Sequence, residues 1–401
     1  MTPLRAAVAA ALASAVLGCA TGVCVPSASA AERAGTPAGV ATAVQAAAPA
    51  ASTTASTTTG RMHSFAFLPA AQRPQGAGLA ARVTYSSTTV DGAPAVVSGL
   101  IFAPSGTTPA GGWPVISWAH GTTGLGDTCA PSGSPTLAAS YGRFSELLRA
   151  GYAVVATDYA GLGGPGLHPY LNGEVAARGV IDIARAARAF SPGTFAARWA
   201  VSGHSQGGHA AMFTGRLAPE YAPELDFRGT VALAPPSNLT PIISRFDPQV
   251  TLVPQLVPLL TYIFAGVRVS AAPEFDMNAY LSPLGQELVT AGETLCNAQQ
   301  WERTQGVNIG ELLSRPLDDS FAAAMGAMFD VPTSGYQDPV FIGQGEDDQT
   351  VAQFMTNQLV GDLREAGEEL TYTTYPGVAH DVVGPSLQDV LAFLRPLLAT
   401  P

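Results

Sequence analysis

Val201-Ser-Gly-His-Ser-Gln-Gly-Gly208 decides how this chain is read. Within it, Gly203-His-Ser205-Gln-Gly207 has the Gly-x-Ser-x-Gly pattern of a nucleophile elbow, a sharp strand-to-helix turn that exposes a serine hydroxyl. Glycine two residues to either side removes the Cβ atoms that would clash in so tight a turn. The string alone is weak evidence in a chain with 43 glycines among 401 residues. Its flanks supply the context. Arg198-Trp-Ala-Val-Ser202 reads as a short strand, and the residues from His209 to Leu217 read as a helix with an apolar face.

Working outward, Arg82 to Val90 alternates, Asp91-Gly92 turns, and Ala95 to Ala103 returns, which predicts an antiparallel hairpin. The pattern then changes to strand Pro114–Ala119, helix Leu137–Ala150, strand Tyr152–Thr157 and helix Glu174–Phe190. The elbow strand and its helix follow, then strand Gly229–Ala234. Apolar strands alternating with helices predict a mostly parallel sheet flanked by helices and buried on both faces. The alternation stops from Pro236 to Gln337. It resumes with strand Pro339–Gly343, helix Val351–Ala366, strand Glu369–Tyr375 and helix Ser386–Leu398. The interruption, about 237–337, is too long for an ordinary connection. It reads as a helical cap over the carboxyl edge of the sheet, where α/β folds keep their sites.

Residues 1–30 have the form of an export signal. Arg5 gives a positive start, Ala6–Leu17 is apolar but too short to span a bilayer, and Ala28-Ser-Ala30 fits a small-residue cleavage site. A second reading stays open, in which Val16-Leu-Gly-Cys19 is a lipoprotein site and Cys19 carries a lipid. Residues 31–60 are mostly Ala, Thr, Ser, Pro and Gly, a composition that predicts a disordered spacer. The catalytic domain is then expected over 61–401. Leu252–Val269 comes closest to a membrane span, but Pro254, Gln255, Pro258 and Arg268 break it.

The net charge of −11 and the absence of any lysine argue against nucleic acid as a partner, since phosphate binding needs clustered cations. A charged fraction of only 12% suits an exported protein with an uncharged substrate. Cleavage after Ala30 leaves Cys129 and Cys296. An even pair in an exported chain reads as one disulfide, two separate buried thiols being the other reading. No cysteine–histidine cluster has metal-ligand spacing. Gly161-Leu-Gly-Gly-Pro-Gly166 lacks the Lys-Ser/Thr ending of a phosphate loop. No metal or cofactor is expected.

A serine nucleophile needs a base to take its proton and an acid to orient that base. In an elbow fold their chain order is Ser, Asp or Glu, then His. The acid should follow the next-to-last strand, where Glu346-Asp-Asp348 lies. In related hydrolases the acid stands three residues before a valine, which favours Asp348 ahead of Val351 over Asp347. The base should follow the last strand, where His380 stands as the only histidine after His209. For the oxyanion, one N–H donor is expected at Gln206, next to the nucleophile. The other is expected in His120-Gly-Thr-Thr123, at Thr122. His204 is expected to pack beneath the elbow, His120 to shape its turn, His209 to be structural, and Asp158 to brace a strand end.

These features resemble an exported α/β-hydrolase of the secretory lipase family, typified by the fungal lipase A type. The likeness rests on Gly203-His-Ser-Gln-Gly207, the interval from Asp348 to His380, the long insertion before the acid strand, and Cys129-Ala-Pro-Ser132 ahead of Cys296. It covers roughly Phe65 to Leu398. It implies an α/β-hydrolase fold, a disulfide between Cys129 and Cys296 and lipase or esterase activity. His120-Gly-Thr-Thr123 departs from the fungal members toward bacterial relatives. Fungal members also place an acidic side chain near the oxyanion hole, for which Asp127 is the nearest candidate. In the insertion, Val253–Ala265 either buries against the sheet or lines an acyl tunnel or lid that touches a lipid surface. Three functions are compatible with the chain: a carboxylic-ester hydrolase, a serine peptidase or acyltransferase on the same scaffold, and a binding protein on a dead scaffold. No member of the expected triad is missing, which disfavours the last.

Overall fold

The computed structural model describes residues 59–134, 142–251 and 256–399. The export signal, Cys19 and nearly all of the spacer therefore lie outside the described residues, as do 137–141 of the helix expected at Leu137–Ala150. The strands are β1 (Met62–Phe67), β2 (Ala77–Thr88), β3 (Pro94–Pro104), β4 (Trp113–Ala119), β5 (Ala153–Thr157), β6 (Phe195–His204), β7 (Asp226–Leu233), β8 (Val340–Gly345) and β9 (Leu370–Tyr375). They form one sheet in the order β1-β2-β3-β5-β4-β6-β7-β8-β9. β1, β2, β3 and β5 pair antiparallel in succession. From β5 to β9 every neighbour is parallel. A crossover connection returns the chain from β4 to β5, so the elbow strand β6 lies at the centre beside β4.

Alternation along these strands sorts the core into two layers. Val115, Val155, Val201, Ala232 and Ile342 face one side. Helices α2 (Gly173–Phe190), α3 (Gln206–Tyr221) and α9 (Gln353–Glu365) cover it, contributing Val180, Met212 and Leu359. Ile116, Val154, Ala200, Val231 and Phe341 face the other side. Helices α1 (Gly142–Arg149) and α10 (Leu387–Leu398) cover that one through Phe144 and Leu394. The central strands are apolar without polar alternation because both faces are buried.

β1 was not expected. Only Met62 and Phe65 of its six residues turn inward, and a register shift between Met62 and Ser64 breaks its period of two. An edge strand half in water leaves little hydrophobic signal.

Between β7 and β8 the chain forms α4 (Thr240–Ile243), α5 (Val257–Ser270), α6 (Pro283–Gly292), α7 (Asn297–Arg303) and α8 (Asp319–Phe329). Capping marks these short helices: Ser282 accepts from the Gly285 amide and Asp318 from the Phe321 amide. They share a core of their own, in which Tyr262, Phe264, Phe321 and Phe329 are fully buried and Tyr170 and Leu171 join from the sheet side. The apolar run of α5 is turned into this core, with Leu259 only partly buried against it and also facing the cleft. Residues 252–255 lie outside the described residues. No helix among the described residues is long and apolar enough to cross a membrane.

Asp182 of α2 is buried and ties three elements. Its carboxylate accepts from Ser87 of β2 at 2.7 Å, Arg185 at 2.7 Å and Tyr221 of α3 at 3.2 Å. Burial pushes its carboxyl up to about 6, against the opposing pull of Ser87 and Arg185. A raised folded-state value stabilises fully below the unfolded value of 3.8, and that stability is lost as pH rises through about 6. Wild type should therefore lose on the order of 3 kcal/mol relative to Asp182→Asn between pH 4 and pH 7. Denaturant midpoints of the two proteins across that range measure it, and a constant difference would contradict it.

Candidate active site

β6 ends at His204 and α3 begins at Gln206, so a single residue turns the chain. That residue, Ser205, has φ 57° and ψ −122°. A non-glycine residue held there costs of order 1–3 kcal/mol and persists only where its surroundings fix it. They do so here. The Ser205 amide donates to the Leu233 carbonyl at 2.8 Å, and its carbonyl accepts from the His209 amide at 3.0 Å. A Cβ on Gly203 would strike the Gly207 backbone, and one on Gly207 would strike the Ala119 carbonyl. Both glycines are needed for this close approach.

The Ser205 hydroxyl donates to His380 Nε2 at 2.9 Å, and His380 Nδ1–H donates to Asp348 Oδ2 at 2.8 Å. His380 sits in the loop after β9 and Asp348 in the loop after β8. Asp348 is buried, and its second oxygen accepts from the Thr350 and Val351 amides at 2.8 and 2.9 Å. Gln344 holds the oxygen facing the imidazole, donating to it at 3.1 Å. Asp347 and Glu346 are exposed and turn away. Between the two aspartates, the structure brings Asp348 to the histidine. Val351 holds the carboxylate through its amide, so the next helix starts at Gln353 and not at Val351.

Gln206 is the first residue of α3, where backbone N–H groups lack intrahelical partners and the helix end is positive. Thr122 lies across the cleft in the loop after β4, its hydroxyl paired with the Tyr170 hydroxyl at 2.7 Å. A cleft of about 300 Å³ contains Ser205, His380, Thr122, Thr123 and Gly121. Trp118, Arg143, His204, Leu259, Asn297 and Trp301 also line it. Among the described residues no carboxylate side chain lines it. A larger groove of about 930 Å³ opens at the start of β8 and β9, beside Asp338 and Glu368, but holds neither histidine nor the elbow. Among the described residues no group of three His, Cys, Asp or Glu could hold a metal ion.

His204 departs from expectation. Its ring does not pack beneath the elbow. It lies 4.7 Å from the His380 ring and donates Nε2–H to the His380 carbonyl at 2.7 Å. Burial, aided by His380, pushes its basicity down to about 4, so it stays neutral beside the base. Asp127 does not join the cleft. It is exposed and is not part of the cleft wall. The other polar residues behave as expected. His120 Nδ1 bonds the Gly121 carbonyl at 2.6 Å. His209 donates to the Phe329 carbonyl at 2.9 Å. Asp158 accepts from Ser98 at 2.5 Å and from the Ser132 amide at 2.9 Å, bracing the Cys-Ala-Pro-Ser loop.

Cys129 and Cys296 are bonded. Cys296 immediately precedes α7, which carries Asn297 and Trp301 into the cleft wall. The Asn297 amide donates to the Thr123 carbonyl at 2.9 Å, and Gly124 bridges Cys296. The cystine thus fastens the helical roof to the Thr122 loop. Closing a loop of 167 residues is worth about 5 kcal/mol in the chain-entropy view.

The secretory lipase family model matches residues 136–309. A probable inactive lipase of Mycobacterium tuberculosis (strain CDC 1551 / Oshkosh) is 25% identical over 253 residues, 60% of this chain and 54% of the relative. The chain thus spans about half the length of that curated relative. The rice cell wall degrading esterase LipA of Xanthomonas oryzae has a similar fold, with a TM-score of 0.66 at 19% identity, covering 85% of this chain and 98% of the other. Candida antarctica lipase A in its closed state gives a TM-score of 0.70 at 18% identity, covering 86% and 84%. These likenesses bear out the resemblance to secretory lipases and the α/β-hydrolase fold.

If Asp348 orients His380, Asp348→Asn slows covalent labelling of Ser205 by a fluorophosphonate about 10³–10⁴-fold, the scale of misorienting a triad histidine. Asp347→Asn should label at the wild-type rate. Equal labelling of the two variants, followed by intact-mass spectrometry, would remove Asp348 from this role.

Proposed function

We propose that this protein is a serine carboxylic-ester hydrolase, an esterase or lipase that works through an acyl-enzyme. The carrying observation is the unbroken hydrogen-bond chain from Asp348 through His380 to Ser205, opening into a cleft that Thr122 also lines. In this reading His380 Nε2 takes the Ser205 proton as Oγ attacks the ester carbonyl carbon. The carbonyl π electrons move onto oxygen, and the amides of Gln206 and Thr122 hold the resulting charge. The tetrahedral species collapses, the bond to the alkoxy oxygen breaks, and the imidazolium proton passes to the departing alcohol. Water, deprotonated by the same imidazole, then attacks the acyl carbon and releases the acid and free Ser205. Asp348 accepts the His380 Nδ1–H throughout and so fixes the tautomer of His380.

The cleft supports a small apolar ester. Its volume is at the low end for a small-molecule site. Trp118, Leu259 and Trp301 supply apolar wall, and among the described residues no side-chain carboxylate lines it to receive the amine of a peptide substrate. The insertion over 237–337 acts here as a roof and not as a mobile lid, being stapled by the cystine. A disulfide also supports an oxidising compartment. With the N-terminal thirty residues it supports a secreted chain starting near Ala31, the lipid-anchored form through Cys19 being the competing reading.

One second reading has an observation behind it, because the curated relative is described as a probable inactive lipase. Activity decides between them. Purified protein should hydrolyse p-nitrophenyl butyrate faster than the palmitate ester and leave the matching anilides intact. Ser205→Ala should lower kcat about 10⁶-fold, the scale of losing a serine nucleophile. Faster anilide cleavage would favour a peptidase, and no turnover of any ester by folded wild-type protein would favour the inactive scaffold.

A further inference from the structure

The two proposed oxyanion donors belong to different elements, Gln206 to the start of α3 and Thr122 to the loop after β4. A third segment, the connection between β5 and α2 from Asp158 to Asn172, touches both residues. His168 in this connection is buried, and its Nδ1–H donates to the Ala160 carbonyl at 3.0 Å. That bond leaves Nε2 as an acceptor, and the Gln206 side-chain amide donates to it at 2.8 Å. Tyr170, also buried, pairs its hydroxyl with that of Thr122 at 2.7 Å. Tyr159 stacks on His168 with ring centroids 5.5 Å apart, and its hydroxyl donates to the His120 carbonyl at 2.9 Å. His168 and Tyr170 meet edge to face at 6.3 Å.

One connection thus sends three packed rings to both sides of the cleft. Its backbone is fixed in unusual conformations to do so: Tyr159 has φ 69° and Leu171 φ 56°. Such outliers in non-glycine residues persist where the surroundings over-determine them, and they cluster at functional sites. At its far end Asn172 caps α2 by accepting from the Val175 amide at 3.1 Å, which ties the connection to the rigid sheet layer.

We propose that the 158–172 connection is the scaffold of the oxyanion hole, in which His168 and Tyr170 are positioning residues that set the distance between the Gln206 and Thr122 amides. This rests on the reading of Ser205 as an ester-attacking nucleophile. The scaffold requires a neutral His168, and burial pushes its basicity down to about 4, so the accepting lone pair is present at neutral pH. Preorganised donors act by being in place before charge develops, and a misplacement on the order of 1 Å costs about 10²-fold in rate. Because the donors grip the tetrahedral species more than the ground-state ester, loosening them lowers kcat and leaves KM nearly unchanged.

The test uses the full-length protein and p-nitrophenyl butyrate, with His168→Phe, Gln206→Met, their double variant, and Tyr170→Phe. His168→Phe keeps a ring on Tyr159 but has no acceptor. Tyr170→Phe removes one oxygen atom. The expected result is a fall of about 10–10²-fold in kcat for His168→Phe with KM within about twofold. The double variant should be no worse than Gln206→Met alone, because both substitutions break one link. Tyr170→Phe should lower kcat in the same manner. Wild-type kcat in His168→Phe and Tyr170→Phe would overturn the proposal, as would multiplicative losses in the double variant, or a raised KM at constant kcat. If His168→Phe fails to fold, Tyr170→Phe and Gln206→Met decide by the same kcat and KM criterion. Failure of the underlying reading looks different: wild-type protein would then turn over no ester at all, and the scaffold would fall with it.

Discussion

Everything at this site depends on how closely two backbones approach at the centre of the sheet. Gly203 and Gly207 let the elbow turn against Ala119, and neither position has room for a Cβ. That contact forces Ser205 into a positive φ and lifts its hydroxyl over the carboxyl edge. It also sets the start of α3 directly after the serine, so the positive end of the helix lies beside the hydroxyl. Strain in one residue is offset by parallel pairing of β6 with β4 and β7 on either side.

The loops that converge on the serine are held by their own polar contacts. The Asp348 carboxylate is held by two amides and Gln344, so it enters the triad geometry already oriented. Neutral His204 bonds the carbonyl of His380 and steadies the loop that carries the base. The Cys129–Cys296 bond does the same for the roof, joining α7 to the loop of Thr122. The burial of polar groups such as Asp158, Gln344 and His168 is matched by hydrogen bonds, which keeps a low-dielectric site from becoming an energetic liability.

Much of this was legible in the residues alone. The buried parallel strands announce themselves as short apolar runs, since both faces are covered. The order Ser205, Asp348, His380 follows from the fold once the elbow is recognised. Asp348 was separable from Asp347 only through the valine three residues on, and the structure gives that spacing a cause in the Val351 amide. What stayed hidden depends on contacts distant in sequence. Nothing near His204 signals that its ring meets His380, 176 residues away. The bond from His168 to Gln206 spans 38 residues and has no motif. β1 escaped because four of its six residues face water and a register shift breaks its period. Asp127, the nearest acidic candidate in sequence, is exposed and outside the cleft wall.

A crystal structure of the covalent adduct between Ser205 and an alkyl phosphonate is the most direct measurement of this geometry. It freezes the tetrahedral shape through which the proposed mechanism passes. The expected map has one phosphonyl oxygen within about 3 Å of both the Gln206 and Thr122 amides, with His380 Nε2 beside the ester oxygen. An adduct whose oxygen points away from both amides, or one that forms on a different residue, would contradict the central claim that the elbow presents a nucleophile to a preformed oxyanion hole.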